Sequence, residues 1–223
     1  MTKAFIFDMD GVLVSSISYW HKYVEEVWPD LVGAEVAAVC HVPVGQTPAS
    51  VYAEAVKHGS KVSKEAFMQK FDELAVKVYQ EAPFTSGIED LGTFLLSKNY
   101  KIGLISSSPK LWIDSVVNRL SFGGQIEAII SINDDEGLKP KPHPGSYIQI
   151  IDKLGARSET SIILEDSNSG IQAAKSAGVF TIGLTTNLLP EYTQHGADTY
   201  ANTVEEIIKI VEDFDRDLVS ATS

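Results

Sequence analysis

The sequence contains a single cysteine, Cys40, among 223 residues. One cysteine cannot form an internal disulfide or a thiolate-rich zinc site, and this scarcity is typical of a reducing compartment. We interpret Cys40 as a small buried hydrophobic side chain. No hydrophobic run approaches the roughly 20 residues of a membrane span, and the run that begins at Ala4 reaches a charge at Asp8, too soon for a signal-peptide core. We therefore expect a cytoplasmic protein.

Basic residues are also scarce. The sequence has 18 lysines and arginines and 30 aspartates and glutamates, which gives a formal net charge of −12. Such a field repels the phosphates of nucleic acids and anionic membrane surfaces, so we expect neither as a partner. It would repel a phosphorylated substrate as well. Such a substrate needs a local cation, and a bound metal ion could supply it.

The remaining composition, 44% hydrophobic and 22% charged residues, is that of an ordinary globular protein. Short apolar runs predict five buried strands: Lys3–Phe7, Lys101–Ile105, Glu127–Ser131, Ser161–Leu164 and Val179–Leu184. Amphipathic stretches of helical length lie between most of them: Leu111–Leu120, Gly145–Leu154 and Ser169–Ala177. This alternation predicts an α/β fold with a parallel sheet covered on both faces.

One segment interrupts the alternation. Residues 16–82 contain no convincing strand, and helical periodicity runs through Tyr19–Val27, Ala49–Lys57 and Lys64–Tyr79. Pro83 and Gly87 mark the return to the alternating pattern. We predict a helical domain at 16–82, inserted into a discontinuous core of residues 1–15 and 83–223.

Ligands of open parallel sheets bind beyond the carboxyl ends of the strands. Asp8 and Asp10 follow the first strand, and residues two apart on an extended chain point the same way. Two carboxylates held together attract a hard divalent cation, and Gly11 permits a sharp turn beside them. A solvated acidic turn is the alternative interpretation. A calcium-binding loop is excluded, because its glutamate position is Tyr19.

Hydroxyl and basic side chains follow at two further places. Ser106, Ser107 and Ser108 precede a helix and could cradle a phosphate, although a serine there is also an ordinary helix cap. In the segment 138–144, three prolines at alternate positions make a stiff chain that could hold one lysine in place. A solvated loop is the alternative, and we interpret His143 as a surface residue.

A second acidic pair, Glu165 and Asp166, follows the fourth predicted strand. Adjacent residues point in opposite directions, so we expect one direct metal ligand, Asp166, and one outer partner, Glu165. A capped helix start is the alternative.

The four features resemble, in order, the four motifs of haloacid dehalogenase-like hydrolases: Asp8-Met9-Asp10-Gly11-Val12, Ser106, a Lys-Pro-x-Pro turn, and Glu165-Asp166-Ser167. The resemblance covers nearly the whole chain. The helical insert after the first motif is similar to that of the subfamily with β-phosphoglucomutase, sugar-phosphate phosphatases and phosphoglycolate phosphatase. The resemblance implies a Rossmann-like core with an α-helical cap. It also implies a Mg²⁺-dependent phosphatase that acts on a small phosphorylated metabolite. The two aspartates of the first motif favour phosphatases over dehalogenases.

The resemblance also implies roles for single residues. Asp8 would be the nucleophile that forms an aspartyl-phosphate, and Asp10 the general acid and base. The phosphoryl group would be bound by Ser106, Ser107, Gly11 and a lysine. The metal would be held by Asp8, Asp10 through its backbone carbonyl, and Asp166, with Glu165 orienting its water shell. Both Lys139 and Lys141 satisfy the Lys-Pro-x-Pro pattern, but Tyr147 fits the aromatic position of the family only when Lys141 leads.

Departures from the family pattern bear on the substrate. β-Phosphoglucomutases have a histidine where this chain has Trp20, and His21 lies one residue after that position. In addition, no arginine that could hold a second phosphate lies near Gln46. We therefore expect hydrolysis, with Trp20, His21 and Gln46 choosing the substrate, and we expect a monomer. The alternatives are a β-phosphoglucomutase-type phosphotransferase and a non-enzymatic phospho-acceptor module.

Overall fold

The computed structural model describes residues 1–40 and 48–222. In this part of the chain, six strands form one parallel sheet in the order β3-β2-β1-β4-β5-β6. The strands are β1 Lys3–Asp8, β2 Tyr100–Ser106, β3 Ile126–Ser131, β4 Ser161–Glu165, β5 Phe180–Leu184 and β6 Thr199–Ala201. All five predicted strands are present, with ends displaced by at most one residue. The short edge strand β6 is additional.

The same described residues form nine α-helices. They are α1 Ile17–Val32, α2 Ala34–Ala37, α3 Pro48–Lys57, α4 Lys64–Glu81, α5 Ile88–Ser97, α6 Lys110–Val117, α7 Gly145–Lys153, α8 Asn168–Ser176 and α9 Val204–Thr222. None of the helices in 1–40 and 48–222 is long and apolar enough to cross a membrane.

The two faces of the sheet bury alternate residues of each strand. Phe5 and Phe7 pack on one side, in a cluster that includes residues of α5 and α9. Ala4 and Ile6 point to the other side, where α7 and α8 cover the sheet. The period of two along β1 thus places helices on both faces. The predicted α/β fold with a Rossmann-like parallel sheet is confirmed.

Helices α1 to α4 occupy the segment in which the sequence predicts a helical insert. The apolar stripe of α4, which includes Phe67 and Phe71, is buried and belongs to the same cluster as Phe5 and Phe7. Cys40 is also buried, as expected. The stripe is therefore mainly core packing between helices, and Phe71 also lines the cavity described below.

The two chain segments that join this insert to the sheet run side by side. The backbone N–H of Ser15 donates to the carbonyl oxygen of Pro83 over 2.9 Å, and Val14 forms an antiparallel bridge with Phe84. The insert is therefore attached at one place, above the carboxyl end of β1.

Candidate active site

A cavity of about 930 Å³ lies at the carboxyl ends of the strands. Asp8, Ser106 and Glu165 are the last residues of β1, β2 and β4, three neighbouring strands of the sheet. Residues of α1, α3, α4 and α6 and of the loop after β5 also line the cavity. The topology thus gathers the ends of the motifs at one edge of the sheet.

Asp8 is buried beside the ammonium group of Lys141. The Nζ atom of Lys141 lies 2.5 Å from Asp8 Oδ1 and 2.5 Å from Glu165 Oε1, and its side chain is 7% exposed. Burial raises the pKa of Asp8 to about 7, although the ammonium group of Lys141 opposes the shift. Burial alone would lower the pKa of Lys141, but Asp8 and Glu165 together hold it well above its usual value. Lys141 therefore stays charged and stabilises the ionised form of Asp8.

The Lys-Pro-x-Pro turn brings Lys141, and not Lys139, to this position. The Lys141–Pro142 peptide bond is cis, and Pro144 directly precedes α7. Lys139 is exposed to solvent. The hydroxyl of Tyr147, in the first turns of α7, donates to Glu165 Oε1 over 2.6 Å. The alignment in which Lys141 begins the Lys-Pro-x-Pro motif and Tyr147 fills the aromatic position is thus explained by the structure, because both residues contact Glu165.

Glu165 is fully buried, and both of its carboxylate oxygens accept hydrogen bonds. The backbone N–H groups of Asp166 and Ser167 donate to its Oε2 over 3.1 Å each, in addition to the contacts of Lys141 and Tyr147 with Oε1. Burial favours the neutral form, but Lys141 and these donors lower the pKa of Glu165 below its usual value. A Cβ at Gly170 would lie 1.8 Å from Glu165 Oε1, so only glycine allows α8 to approach so closely. Glu165 acts here as the partner that positions Lys141.

Asp10 is held by three hydroxyl groups. Ser16 donates to its Oδ1 over 2.5 Å, Tyr79 donates to Oδ1 over 2.9 Å, and Ser108 donates to Oδ2 over 3.1 Å. Burial raises the pKa of Asp10, and the hydrogen bonds from Ser16, Tyr79 and Ser108 oppose the shift. A carboxyl group with a raised pKa in a cleft is suited to give and take protons.

Of the four carboxylates at this site, Asp166 has the fewest hydrogen-bond partners among the described residues. It is 7% exposed, and in residues 1–40 and 48–222 no group donates a hydrogen bond to its carboxylate. Burial, followed by the charge of Asp8, raises the pKa of Asp166 well above its usual value. Its Oδ2 approaches Gly11, where a Cβ would lie at 1.9 Å. A buried acid without donors, close to Asp8, indicates that a positive charge belongs here.

The residues present fit a magnesium ion. Among the described residues no three histidine, cysteine, aspartate or glutamate side chains are grouped so as to hold a metal by themselves. The side chains of Asp10 and Glu165 are engaged by hydroxyl and ammonium groups, which leaves the carboxylates of Asp8 and Asp166 and the backbone carbonyl of Asp10. This all-oxygen set, completed by water, suits Mg²⁺, which uses one or two carboxylates and retains several waters.

The expected phosphate ligands Ser106, Ser107 and Gly11 differ in the hydrogen-bond donors that they offer. Ser106 and Ser107 line the cavity, and Ser106 Oγ accepts a hydrogen bond from the backbone N–H of Ser108 over 3.0 Å, so its hydroxyl hydrogen can point elsewhere. Gly11 is different, because its N–H donates to the carbonyl of Val14 over 2.8 Å. We expected Gly11 to bind phosphate, but its donor is occupied. Gly11 has φ +79°, a backbone conformation that glycine adopts readily, and it therefore allows the tight turn after β1. Its missing side chain also leaves room for Asp166 to approach closely.

Trp20 and His21, which we expected to choose the substrate, both line the cavity on α1. Gln46 lies outside the described residues. His21 Nε2 is a buried atom with no hydrogen-bond partner among the described residues.

The sequence did not assign several residues that the structure brings to this site. Tyr79 and Ser16 contact Asp10, while Asn187 donates to the carbonyl of Gly11 and Gln194 to the carbonyl of Asp166. Tyr79 had a weak signal, since it lies eight residues after Phe71 on the same face of α4 and ends an apolar stripe with a hydroxyl group. For Asn187 and Gln194, in the loop after β5, the sequence had no such signal.

Comparisons with known proteins agree with the motifs. The model of the haloacid dehalogenase-like hydrolase family matches residues 5–184. A phosphorylated carbohydrates phosphatase from Thermotoga maritima is 28% identical over 182 residues, 79% of this chain and 82% of its own. Hexitol phosphatase B from Escherichia coli K12 is 26% identical over 186 residues, 80% of this chain and 82% of its own. The crystal structure of β-phosphoglucomutase from Clostridium difficile superimposes with a TM-score of 0.72 at 23% identity, and covers 98% of this chain and 100% of that one.

Proposed function

Because the chain belongs to the haloacid dehalogenase-like hydrolase family and is a phosphatase, we propose that it hydrolyses a small phosphorylated metabolite through an aspartyl-phosphate on Asp8, with Mg²⁺ as cofactor. The relatives named above act on phosphorylated carbohydrates and on hexitol phosphates by their names. A sugar phosphate or a similar phosphomonoester is therefore the substrate class that we propose.

The observation that carries this proposal is the contact of Asp8 with Lys141, with Asp10 two residues further on. A nucleophilic carboxylate must be ionised and must tolerate an approaching dianion. The ammonium group of Lys141, 2.5 Å from Asp8 Oδ1, favours ionisation and offsets negative charge. Glu165, held by Tyr147, keeps the ammonium group in this position.

The reaction would proceed in two steps. A carboxylate oxygen of Asp8 attacks phosphorus, the bond from phosphorus to the leaving oxygen breaks, and Asp10 gives its proton to that oxygen. Water then attacks the phosphorus of the aspartyl-phosphate, Asp10 takes a proton from that water, and the bond from phosphorus to the carboxylate oxygen of Asp8 breaks. Phosphate leaves, and both aspartates return to their first state.

Asp8, Asp166 and the backbone carbonyl of Asp10 would hold the magnesium ion. When bound, Mg²⁺ supplies the positive charge that lets an anionic nucleophile meet an anionic phosphoryl group. Ser106, the last residue of β2, and Ser107, which follows it, would donate hydrogen bonds to the phosphoryl oxygens, and both precede the start of α6 by a few residues.

We also propose that residues 16–82 form a cap that closes over this site. Ser16 and Tyr79, both in contact with Asp10, belong to the two ends of that segment, and the linkers at Ser15 and Pro83 are joined by a hydrogen bond. A cap on two adjacent linkers can exclude water while the aspartyl-phosphate forms and admit it afterwards.

Turnover of p-nitrophenyl phosphate by the purified protein tests the function. We expect release of phosphate over many cycles in the presence of Mg²⁺, and none from Asp8→Asn, whose side chain is nearly isosteric. A single stoichiometric phosphorylation without turnover would favour the non-enzymatic phospho-acceptor. A screen of phosphorylated metabolites, with product analysis for isomerised phosphates, would separate the hydrolase from a phosphoglucomutase-type enzyme.

A further inference from the structure

The cavity above Asp8 is poor in positive charge. Among its lining residues in the described parts of the chain, Lys141 is the only lysine or arginine, and it contacts Asp8 and Glu165. Residues 41–47 contain neither lysine nor arginine. The other charged lining residues are acidic, and Glu25 on α1 adds a carboxylate away from the motifs. Among the described lining residues, a leaving group with a second phosphate or a carboxylate would meet no lysine or arginine other than Lys141, which is already engaged.

Arg119 does not relieve this shortage. Its guanidinium group donates to the backbone carbonyls of Tyr79 and Ala82, at the end of α4, and lies 4.6 Å from the ring centroid of Phe84. It does not line the cavity in the described structure. The cation therefore stabilises the end of a helix and is not available to a ligand.

The wall of the cavity offers aromatic surface instead. Trp20 from α1, Phe71 from α4 and Trp112 from α6 are in mutual contact, with ring centroids 5.4 to 5.9 Å apart. The indole N–H of Trp112 donates to Asp72 on α4 over 2.9 Å, which fixes the orientation of that ring. Aromatic faces bind flat apolar surfaces of other molecules, and they do so without charge.

We propose that this site takes phosphomonoesters whose leaving group is uncharged, cyclic and flat on one face, and that it discriminates against a leaving group with a second anionic group. The proposal rests on the proposed phosphatase function and specifies its substrate class. Trp20 and Trp112 would contact the flat face, and Nε2 of His21, which has no hydrogen-bond partner in the described part of the chain, would bond a polar group of the ring. Leu188, Leu189 and Tyr192, from the loop after β5, line the same cavity and would contact the leaving group as well.

A matched pair of substrates tests the charge requirement without any mutation. We would measure kcat/KM for 4-carbamoylphenyl phosphate and for 4-carboxyphenyl phosphate, which have nearly the same shape and differ by one negative charge. We expect at least a roughly tenfold preference for the carbamoyl compound at low ionic strength, reduced by added salt. Equal use of the two compounds, or a preference for the carboxylate, would overturn the proposal.

Two variants on neighbouring positions of α1 test where the discrimination arises. Glu25 lines the cavity, whereas Glu26, which is also exposed, does not. We expect Glu25→Lys to raise the relative kcat/KM for the carboxylated compound several-fold more than Glu26→Lys, although the two proteins have the same net charge. Equal ratios in both variants would show that the cavity wall does not sense this charge.

The variant Trp20→Leu tests the role of the aromatic side chains Trp20, Phe71 and Trp112 in the cavity wall. Tyr19→Leu is the control, because Tyr19 does not line the cavity. We expect Trp20→Leu to lower the ratio of kcat/KM for phenyl phosphate to that for acetyl phosphate about three- to tenfold, the range for one aromatic contact. An unchanged ratio would contradict the proposal. If wild type with Mg²⁺ does not hydrolyse acetyl phosphate at all, the proposed function fails. If the wild type hydrolyses acetyl phosphate but prefers substrates with anionic leaving groups, the phosphatase function stands and only this inference fails.

Discussion

The hydroxyl group of Tyr79 donates a hydrogen bond to Asp10 Oδ1 over 2.9 Å, joining the end of α4 to the turn after β1. The two residues are 69 positions apart in the chain. Burial and the charge of Asp10 raise the pKa of Tyr79 well above its usual value, so Tyr79 remains a donor. The residue proposed as general acid and base is thus oriented by the helical insert.

Tyr79→Phe is expected to lower kcat about tenfold with little change in KM. A hydrogen bond to a charged group contributes about 1.5–3 kcal/mol, and Ser16 and Ser108 would continue to hold Asp10. Tyr52→Phe is the matched control, because it removes a hydroxyl that donates to the carbonyl of Val62, elsewhere in the insert. Steady-state kinetics of both variants check the prediction, and equal kcat values for Tyr79→Phe and wild type would contradict it.

Lys141→Ala and Lys139→Ala separate the two lysines of the Lys-Pro-x-Pro turn. We expect Lys141→Ala to lower kcat roughly 10²- to 10³-fold, since a preorganised cation at the phosphoryl group is removed. It should also lower the free energy of unfolding by about 3–5 kcal/mol, because Asp8 and Glu165 lose their buried counter-charge.

Lys139→Ala should leave both quantities within error of wild type, because Lys139 is exposed. Thermal unfolding would be followed alongside kcat, so that loss of activity in a folded variant is recognised. A greater loss of activity from Lys139→Ala than from Lys141→Ala would reverse the assignment.

Activity should disappear with a chelator, return with Mg²⁺, and fall when Ca²⁺ replaces it, since Ca²⁺ accepts more ligands in a looser geometry. Asp166→Asn should raise the Mg²⁺ concentration for half-maximal activity at least roughly tenfold. The same variant should lose the increase in melting temperature that Mg²⁺ gives the wild type. Glu136→Gln, at an exposed position, is the control, and an equal Mg²⁺ response in the two variants would remove Asp166 from the metal site.

The pH dependence of stability can be examined away from the active site, at Asp134. Its Oδ2 accepts the backbone N–H of Lys110 at the start of α6 over 2.6 Å. Burial would raise the pKa of Asp134, but this bond and its neighbours lower it below the usual value. A lowered folded-state pKa means that the stabilisation is present above the unfolded-state pKa and is lost as the pH falls through the folded-state pKa.

Asp134→Asn should therefore destabilise the protein by about 0.3–1 kcal/mol at neutral pH, the usual effect of a negative charge at an exposed helix start. The difference from wild type should vanish in acid, where Asp134 is protonated. Denaturant unfolding at several pH values measures it, and a difference that persists or grows in acid would contradict the prediction.

The sequence predicted the parts of the fold that depend on local pattern. Buried strands such as β1 have continuous apolar runs, and the two-residue period predicted that Asp8 and Asp10 would both reach the crevice. Strand β6 is only three residues long, too short for any period to be seen. Helix α9 has the helical spacing of Val204, Ile207 and Val211, so its signal was present although no helix was predicted there.

The parts that could not be predicted depend on tertiary contacts. The position of Tyr147 favoured Lys141 over Lys139, but the contact of Lys141 with Glu165, the last residue of β4, could not be read from the sequence. The hydrogen bonds from Tyr79 and Ser16 to Asp10 require the insert to be folded against the sheet. Whether the backbone N–H of Gly11 is free depends on the turn that its bond to Val14 closes, and the presence of a glycine in the sequence does not show this.

The aspartyl-phosphate on Asp8 is the central claim, and chemical trapping tests it most directly. Asp10→Asn should slow hydrolysis of the intermediate, because the general base of the second step is lost, so the variant would be incubated with acetyl phosphate and Mg²⁺. Borohydride would then reduce any acyl-phosphate to an alcohol, and peptide mass spectrometry would locate it. We predict homoserine at position 8 and nowhere else, and none when Asp8→Asn is added. Reduction at another residue, or turnover by the Asp8→Asn protein, would contradict the account.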